Sequence, residues 1–119
     1  MSFRIAQKVA LKSPHPQHRM GAVIVKGNRI LSTGYNEFRY SKYIKTPTLH
    51  AEASAILKLL RESRFNDLVG SELYVTRWTP GGRIGLAAPC RSCMELIRSV
   101  GIRRVAFSDS EDSNGELIL

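Results

Sequence analysis

Apolar residues recur along the chain with a spacing that changes from segment to segment, and each spacing predicts an element of structure. Over residues 2–12 they recur mostly every three or four positions, which predicts an amphipathic helix that ends at a Pro-rich turn. Residues 21–26 and 29–35 form two apolar runs on either side of Gly27-Asn28. This arrangement predicts two strands joined in a hairpin.

Helical and strand patterns then alternate through the rest of the chain. The predicted elements are a loop over 36–48, a helix from His50, a strand over 71–76, a loop over 77–88, a helix over 90–100, and strands over 103–108 and 116–119. In the order αββαβαβ, helices connect the later strands, which predicts a layered α/β fold. The chain has 119 residues and neither a linker nor an internal repeat, so we expect residues 1–119 to form a single domain.

The composition excludes several classes of protein. A hydrophobic fraction of 43% is typical of a globular chain, and no apolar run approaches the roughly 18 residues that a membrane span needs. The first residues also lack the apolar block of a signal peptide. The two cysteines share one C-x-x-C, which suits a reducing compartment better than a disulfide scaffold. We therefore expect a cytoplasmic protein without a membrane partner.

Charge is unevenly distributed along the chain. Residues 1–49 hold nine Lys and Arg against one acid, Glu37, whereas residues 50–119 hold nine basic and nine acidic residues. The net charge of +8 therefore lies in the first part of the chain. Such a basic region attracts phosphate, whether on a nucleotide or on a polynucleotide, although an ordinary solvated surface gives the same pattern.

Two short motifs carry the candidate chemistry. His50-Ala51-Glu52 is followed, 38 residues after Glu52, by Cys90-Arg91-Ser92-Cys93. One imidazole and two thiols are the ligands of a tetrahedral zinc ion whose fourth position stays open for water, as in catalytic sites. Both motifs open predicted helices, and Cys90 and Cys93 share a helix face because they are three residues apart. Glu52 is close enough to His50 to move protons without being a ligand.

Each element of this pattern also has other interpretations. A lone C-x-x-C is typical of a redox pair or of half a zinc ribbon, but the chain has no second pair of cysteines. A non-catalytic binding module stabilised by zinc is one alternative, but it would not require Glu52. A redox protein using Cys90 and Cys93 is another, but it would leave His50 without a role. His15 and His18 belong to the Pro-rich turn, where we interpret them as facing solvent or bonded to backbone, with contact to a substrate as the alternative.

The motifs together resemble a known family. The stretches Met20–Lys26, Gly34–Asn36, Leu49–Glu52, Leu73–Thr76 and Pro89–Cys93 are similar to the cytidine/deoxycytidylate deaminase superfamily, in register from about residue 4 to 108. The resemblance implies a three-layer α/β fold with a central five-stranded mixed sheet flanked by helices. It implies bound zinc with His50, Cys90 and Cys93 as ligands and Glu52 as the catalytic proton carrier. It also implies substrate contacts from Asn36, Ala51 and Pro89.

The resemblance further narrows the reaction. His-Ala-Glu combined with Gly-Tyr-Asn is similar to the deoxycytidylate and tRNA-adenosine branches, so we expect hydrolytic deamination of a small cytosine nucleotide, deoxycytidylate (dCMP) to dUMP and ammonia. The alternative is a polynucleotide deaminase acting on tRNA adenosine or on cytosine in single-stranded DNA. The basic and aromatic residues of 39–45 favour that alternative, because rings stack on bases while cations follow the backbone. Relatives are commonly homo-oligomers, and we expect the same here.

Overall fold

The computed structural model describes residues 2–15, 17–38 and 48–119, so the basic and aromatic segment 39–45 lies outside the described residues. The helices are α1 (Ser2–Ala10), α2 (Ala51–Arg61), α3 (Phe65–Leu68) and α4 (Arg91–Ser99). The strands are β1 (Arg19–Lys26), β2 (Arg29–Tyr35), β3 (Glu37–Phe38), β4 (Thr48–Leu49), β5 (Glu72–Trp78), β6 (Ile84–Gly85), β7 (Arg104–Ser110) and β8 (Ser113–Ile118).

A mixed sheet forms the centre of the molecule, with strand order β2-β1-β5-β7-β8. Strands β5 and β7 are parallel, joined through α4, and the other neighbours in this order are antiparallel. The short strand β6 pairs with β5 outside this order and brings the sheet to six strands. The predicted five-stranded mixed sheet is therefore confirmed, with one short strand added.

Helices cover both faces of the sheet, as the side chains of β1 show. Ala22 and Ile24 point into the larger core, which contains buried residues of α2 and α4. Val23 and Val25 point the other way and pack with Ala6 of α1. A strand with both faces covered is apolar throughout, which explains the unbroken apolar run that predicted it. The predicted three-layer α/β arrangement is confirmed.

Close contact between β2 and α2 fixes where the first zinc motif lies. A Cβ atom added at Gly34 would lie 2.5 Å from the carbonyl oxygen of Ala51 and 2.6 Å from the backbone nitrogen of Ala55. Ser32 on the same strand donates a 2.8 Å hydrogen bond to the Ala55 carbonyl. Only glycine allows so close an approach, so Gly34 helps to set the position of the first turn of α2.

The prediction of a loop over 77–88 is partly wrong, because Arg77 and Trp78 continue β5 and pair with β6. The turn between them is closed by a 2.8 Å hydrogen bond from the Thr79 N–H to the Arg83 carbonyl. A two-residue strand is too short to show any alternation in sequence. The backbone N–H of Ile84 also donates to the Glu111 carboxylate at 2.8 Å, which ties this β5–β6 hairpin to the turn between β7 and β8.

Smaller differences concern the ends of elements. The last strand begins at Ser113 instead of residue 116, because it is a largely exposed edge strand whose polar residues hide its periodicity. The four-residue α3 and the β3–β4 pair were not predicted, because they are too short to show a periodic pattern.

Within the described residues, no helix is both long and apolar enough to cross a membrane. The assignment of residues 1–119 to one domain stays a prediction.

Candidate active site

The two motifs lie at the N-termini of two helices that pack against each other. His50 is the N-cap residue of α2, and its carbonyl accepts the first helical hydrogen bond from Ser54 at 2.9 Å. Cys90 caps α4 in the same way, with its carbonyl bonded to the Met94 N–H at 2.9 Å. The prediction that both motifs open helices is confirmed. A helix N-terminus carries partial positive charge, which favours the thiolate form of a nearby cysteine.

Three side-chain atoms converge between these helices. The Nδ1 atom of His50 lies 3.2 Å from the Sγ of Cys93 and 3.6 Å from the Sγ of Cys90. All three donor atoms lie within 4.8 Å of one another. Zn–N and Zn–S bonds in a tetrahedral site place a nitrogen and a sulfur ligand about 3.6 Å apart. The donor set and its spacing therefore fit a zinc ion, with three protein ligands as in catalytic sites.

The acidity of the two thiols reflects their different surroundings. Partial burial raises the pKa of Cys90, but hydrogen bonding from the Ser92 hydroxyl and from the Cys93 backbone outweighs it and lowers this pKa to about 7. Burial raises the pKa of Cys93, and the negative charge of Glu52 raises it further. A coordinating thiol is deprotonated outright by a metal ion. A dication bound to the two thiols would therefore stabilise both as thiolates, including the buried Cys93.

Glu52 lies in the first turn of α2, two residues after His50. It is 2% exposed, and its Oε1 atom has no hydrogen-bond partner among the described residues. Burial raises the pKa of its carboxyl, while its own backbone N–H and the nearby His50 oppose the shift. A buried acceptor without a partner costs free energy unless something else binds it. The unpaired oxygen is therefore available for a water molecule or a substrate.

A cavity of about 450 Å³ opens beside His50. Its lining includes His50, Asn36, His15, His18, Arg77 and Leu86. This volume lies in the range of small-molecule sites, roughly 300–1,000 Å³. The cavity is therefore large enough for a nucleotide beside the zinc motif.

The sequence-predicted substrate residues lie at different distances from this cavity. Asn36 lines it, but its amide already donates to the His18 carbonyl at 2.6 Å and accepts from the Met20 N–H at 2.8 Å. Ala51 is fully buried and Pro89 is half-buried; each is next in sequence to a lining residue, His50 and Ala88 respectively. Neither is part of the lining formed by the described residues. Any contact of these two with substrate stays a prediction.

Sequence reasoning missed the part of the cavity lining that the β5–β6 hairpin supplies, namely Arg77 and Leu86. Arg77 is a residue of β5, and Leu86 directly follows β6. The Arg77 guanidinium donates to the His18 Nδ1 atom at 2.8 Å and to the Leu86 carbonyl at 3.4 Å. The length of the segment between Thr76 and Pro89 was the available signal, since long connections in a small domain are usually functional.

Comparison with known proteins identifies the family. The model of the cytidine and deoxycytidylate deaminase zinc-binding region matches residues 1–109. The chain belongs to this family, and it is a zinc-dependent deaminase, as the two motifs and the resemblance predicted.

Individual relatives place the chain within the family. It is 33% identical to a deoxycytidylate deaminase of Mycobacterium phage D29, over 87% of this chain and 88% of that protein. It is 32% identical to a tRNA-specific adenosine deaminase of Aquifex aeolicus, over 99% of this chain and 68% of that protein. The fold is similar to that of the dCMP deaminase of cyanophage S-TIM5, with a TM-score of 0.73 and 25% identity over 93% of this chain and 82% of the other.

Proposed function

We propose that this protein converts dCMP to dUMP and ammonia. The observation that carries the proposal is the juxtaposition of the His50–Cys90–Cys93 cluster with buried Glu52 and a nucleotide-sized cavity. The similarity to the phage deoxycytidylate deaminase, which extends over most of both chains, supports dCMP as the substrate. The family alone leaves the substrate open, so the choice rests on this relative and on the site together.

The residues divide the work between holding the metal and moving protons. We assign His50, Cys90 and Cys93 as the zinc ligands. Zinc in such a site lowers the pKa of water to about 7 and so supplies a nucleophile at neutral pH. Glu52 is buried two residues after His50, and its Oε1 atom has no hydrogen-bond partner among the described residues. We assign Glu52 as the group that carries protons during the reaction.

The balance of atoms defines what Glu52 has to do. Water adds its oxygen to C4 of cytosine, the C4–N bond breaks, and the amino group leaves as ammonia. The carboxylate accepts the proton that water loses, delivers it to the ring nitrogen N3, and then assists departure of the amine by further proton transfer. Burial of Glu52 favours this cycle because it raises the carboxyl pKa above its ordinary value, which makes the carboxylate a better proton acceptor.

Substrate placement is assigned to the residues around the cavity. We propose that Asn36, held rigidly by its two hydrogen bonds, presents its remaining amide and carbonyl capacity to the sugar or base. The backbone at Ala51 and Pro89 is proposed to contact the amino and carbonyl edges of the base. Rigid placement matters because misalignment of a substrate by about 1 Å costs on the order of a hundredfold in rate.

A second candidate function is deamination of adenosine in tRNA. The similarity to the Aquifex tRNA-specific adenosine deaminase, which covers nearly the whole of this chain, favours it. The basic and aromatic residues of 39–45 would then contact the polynucleotide, although they lie outside the described residues. Ammonia release from purified protein offered cytidine, dCMP, single-stranded DNA and tRNA in parallel separates the two functions. Turnover of tRNA with none of dCMP would replace the leading proposal.

The proposal also covers the cellular compartment and the oligomeric state of the protein. We propose a cytoplasmic location, which is supported by two cysteines that form no disulfide with each other. We propose a homo-oligomer in solution by analogy with the family. Light scattering of the purified protein measures the oligomeric state directly.

A further inference from the structure

The cavity has a cationic corner on the side of the β5–β6 hairpin. Arg77 ends near the turn between α1 and β1, where its Nη2 atom donates to the Nδ1 atom of His18 at 2.8 Å. Its Nη1 atom donates to the Leu86 carbonyl at 3.4 Å, so the guanidinium is held from two sides. Arg77, His18 and His50 all line the same cavity. A ligand that fills the cavity therefore touches this corner as well as the zinc motif.

The side chains in this corner offer mainly hydrogen-bond donors and few hydrogen-bond acceptors. A histidine whose Nδ1 atom accepts a hydrogen bond carries its proton on Nε2, so neutral His18 is a donor at its other nitrogen. The bond from Arg77 requires a neutral His18 ring, and partial desolvation together with the adjacent charge of Arg77 lowers the pKa of His18 in the same direction. The Nδ1 atom of His15 accepts from the backbone N–H groups of residues 17 and 18 at 3.2 and 3.0 Å. Its Nε2 atom is then also a donor.

The positive charge of Arg77 is not balanced within the described part of the chain. None of the salt bridges between described residues involves Arg77. The described residues that line the cavity include no Asp or Glu. A guanidinium has five N–H donors, of which two are used here, and its planar shape matches the oxygens of phosphate.

We propose that Arg77, with His18 beside it, binds the phosphate monoester of a nucleotide substrate and thereby selects nucleotides over nucleosides. The inference rests on the proposed function and names the residues that recognise the phosphate. Arg77 is a residue of β5 in the β5–β6 hairpin, so this selectivity comes from the hairpin and not from the zinc motifs.

The test compares dCMP with deoxycytidine, which differ only in the phosphate. In Arg77→Met, the ratio of kcat/KM for dCMP to that for deoxycytidine should fall roughly ten- to a hundredfold, the effect of losing one strong charge-assisted hydrogen bond. The fall should appear mainly in KM for dCMP. Arg77→Lys keeps the charge but loses the planar fork, so it should restore part of the ratio.

Arg83→Met is the matched control, because Arg83 is an exposed arginine in the turn of the same hairpin and outside the cavity lining. It should leave the ratio unchanged. Thermal unfolding of all three variants separates a loss of phosphate recognition from a loss of fold. A ratio that stays constant in folded Arg77→Met overturns the inference while leaving dCMP deamination intact.

Binding of inorganic phosphate provides a readout that does not depend on turnover. Addition of phosphate to the wild-type protein should shift the NMR signals of the His18 ring, and the shift should be lost in Arg77→Met. Unmoved His18 signals in the wild type would contradict the inference. Wild-type protein that releases no ammonia from dCMP, yet deaminates single-stranded DNA or tRNA, would instead contradict the proposed function and the inference together.

Discussion

The Nδ1 atom of His50 lies 3.2 Å from the Sγ atom of Cys93, although 43 residues of chain separate them. The contact joins the start of α2 to the first turn of α4, with β5 and the hairpin between them in sequence. Imidazole nitrogen and thiolate sulfur are both zinc ligands, and a tetrahedral zinc site holds such a pair about 3.6 Å apart. The relationship therefore indicates that zinc joins two separate parts of the fold, and the first prediction follows from it.

Loss of a ligand should lower both metal content and stability. Cys90→Ser and His50→Ala should each reduce bound zinc well below one ion per chain, because an incomplete ligand set binds weakly and contributes less folding free energy. Metal analysis and thermal unfolding measure the two effects. Ser92→Ala is a useful comparison, since it removes a contact to Cys90 but keeps all three ligands. Wild-type protein purified without any zinc would contradict the assignment of the site.

Glu52→Gln should separate chemistry from metal binding. Glutamine keeps the shape and one hydrogen-bonding oxygen but cannot accept and return a proton, so turnover should fall by on the order of 10²–10⁴-fold. Zinc content and melting temperature should stay close to those of the wild type, because Glu52 is not one of the three clustered donors. Single-turnover assays with metal analysis check both. A variant that turns over at nearly the wild-type rate would make Glu52 a structural residue.

Gly34→Ala should destabilise the fold through its contact with α2. The added methyl group would lie 2.5 Å from the Ala51 carbonyl oxygen, so the helix has to shift, at a cost of about 1–3 kcal/mol. Urea unfolding measures the change in free energy. Gly81→Ala is the matched control, because a Cβ atom there meets nothing within 4 Å and should change stability far less. Because Ala51 adjoins His50, zinc affinity should fall in Gly34→Ala as well.

Salt should distinguish a nucleotide from a polymer as the substrate. Binding of a polynucleotide releases counterions, so its affinity falls with salt by a logarithmic slope of about 0.7–0.9 per phosphate contacted. We expect a shallow slope, as for one phosphate, in KM measurements with dCMP. Replacing both Lys42 and Lys45 by Ala should weaken dCMP use by at most about 1–2 kcal/mol. A steep slope with efficient turnover of oligonucleotides would favour the alternative function.

The zinc motifs could be predicted from sequence because their chemistry depends on residue type and local spacing. His50 and Cys90 each begin a helix, and the i, i+3 spacing of Cys90 and Cys93 places both thiols on one side of it. The long-range pairing of those helices came from the family resemblance, not from periodicity. The unbroken apolar run of β1 was informative for a different reason, since helices cover both of its faces.

The cavity wall could not be predicted in the same way. Arg77 follows a strand in sequence, and nothing local indicates that its guanidinium reaches His18, which lies 59 residues earlier. Strand β6 has two residues, fewer than any periodic pattern needs. His15 and His18 were interpreted as solvent-facing or bonded to backbone. Both line the cavity, and the bonds to backbone are confirmed for His15.

The hydrogen bond from the Ile84 backbone N–H to the Glu111 carboxylate connects the turn between β7 and β8 to the hairpin that lines the cavity. Glu111 belongs to the connection between β7 and β8, whereas Ile84 adjoins the residues that face the cavity. A substitution at Glu111 is therefore expected to shift the hairpin that carries Arg77 and Leu86, and so to change the shape of the cavity from a residue outside its lining.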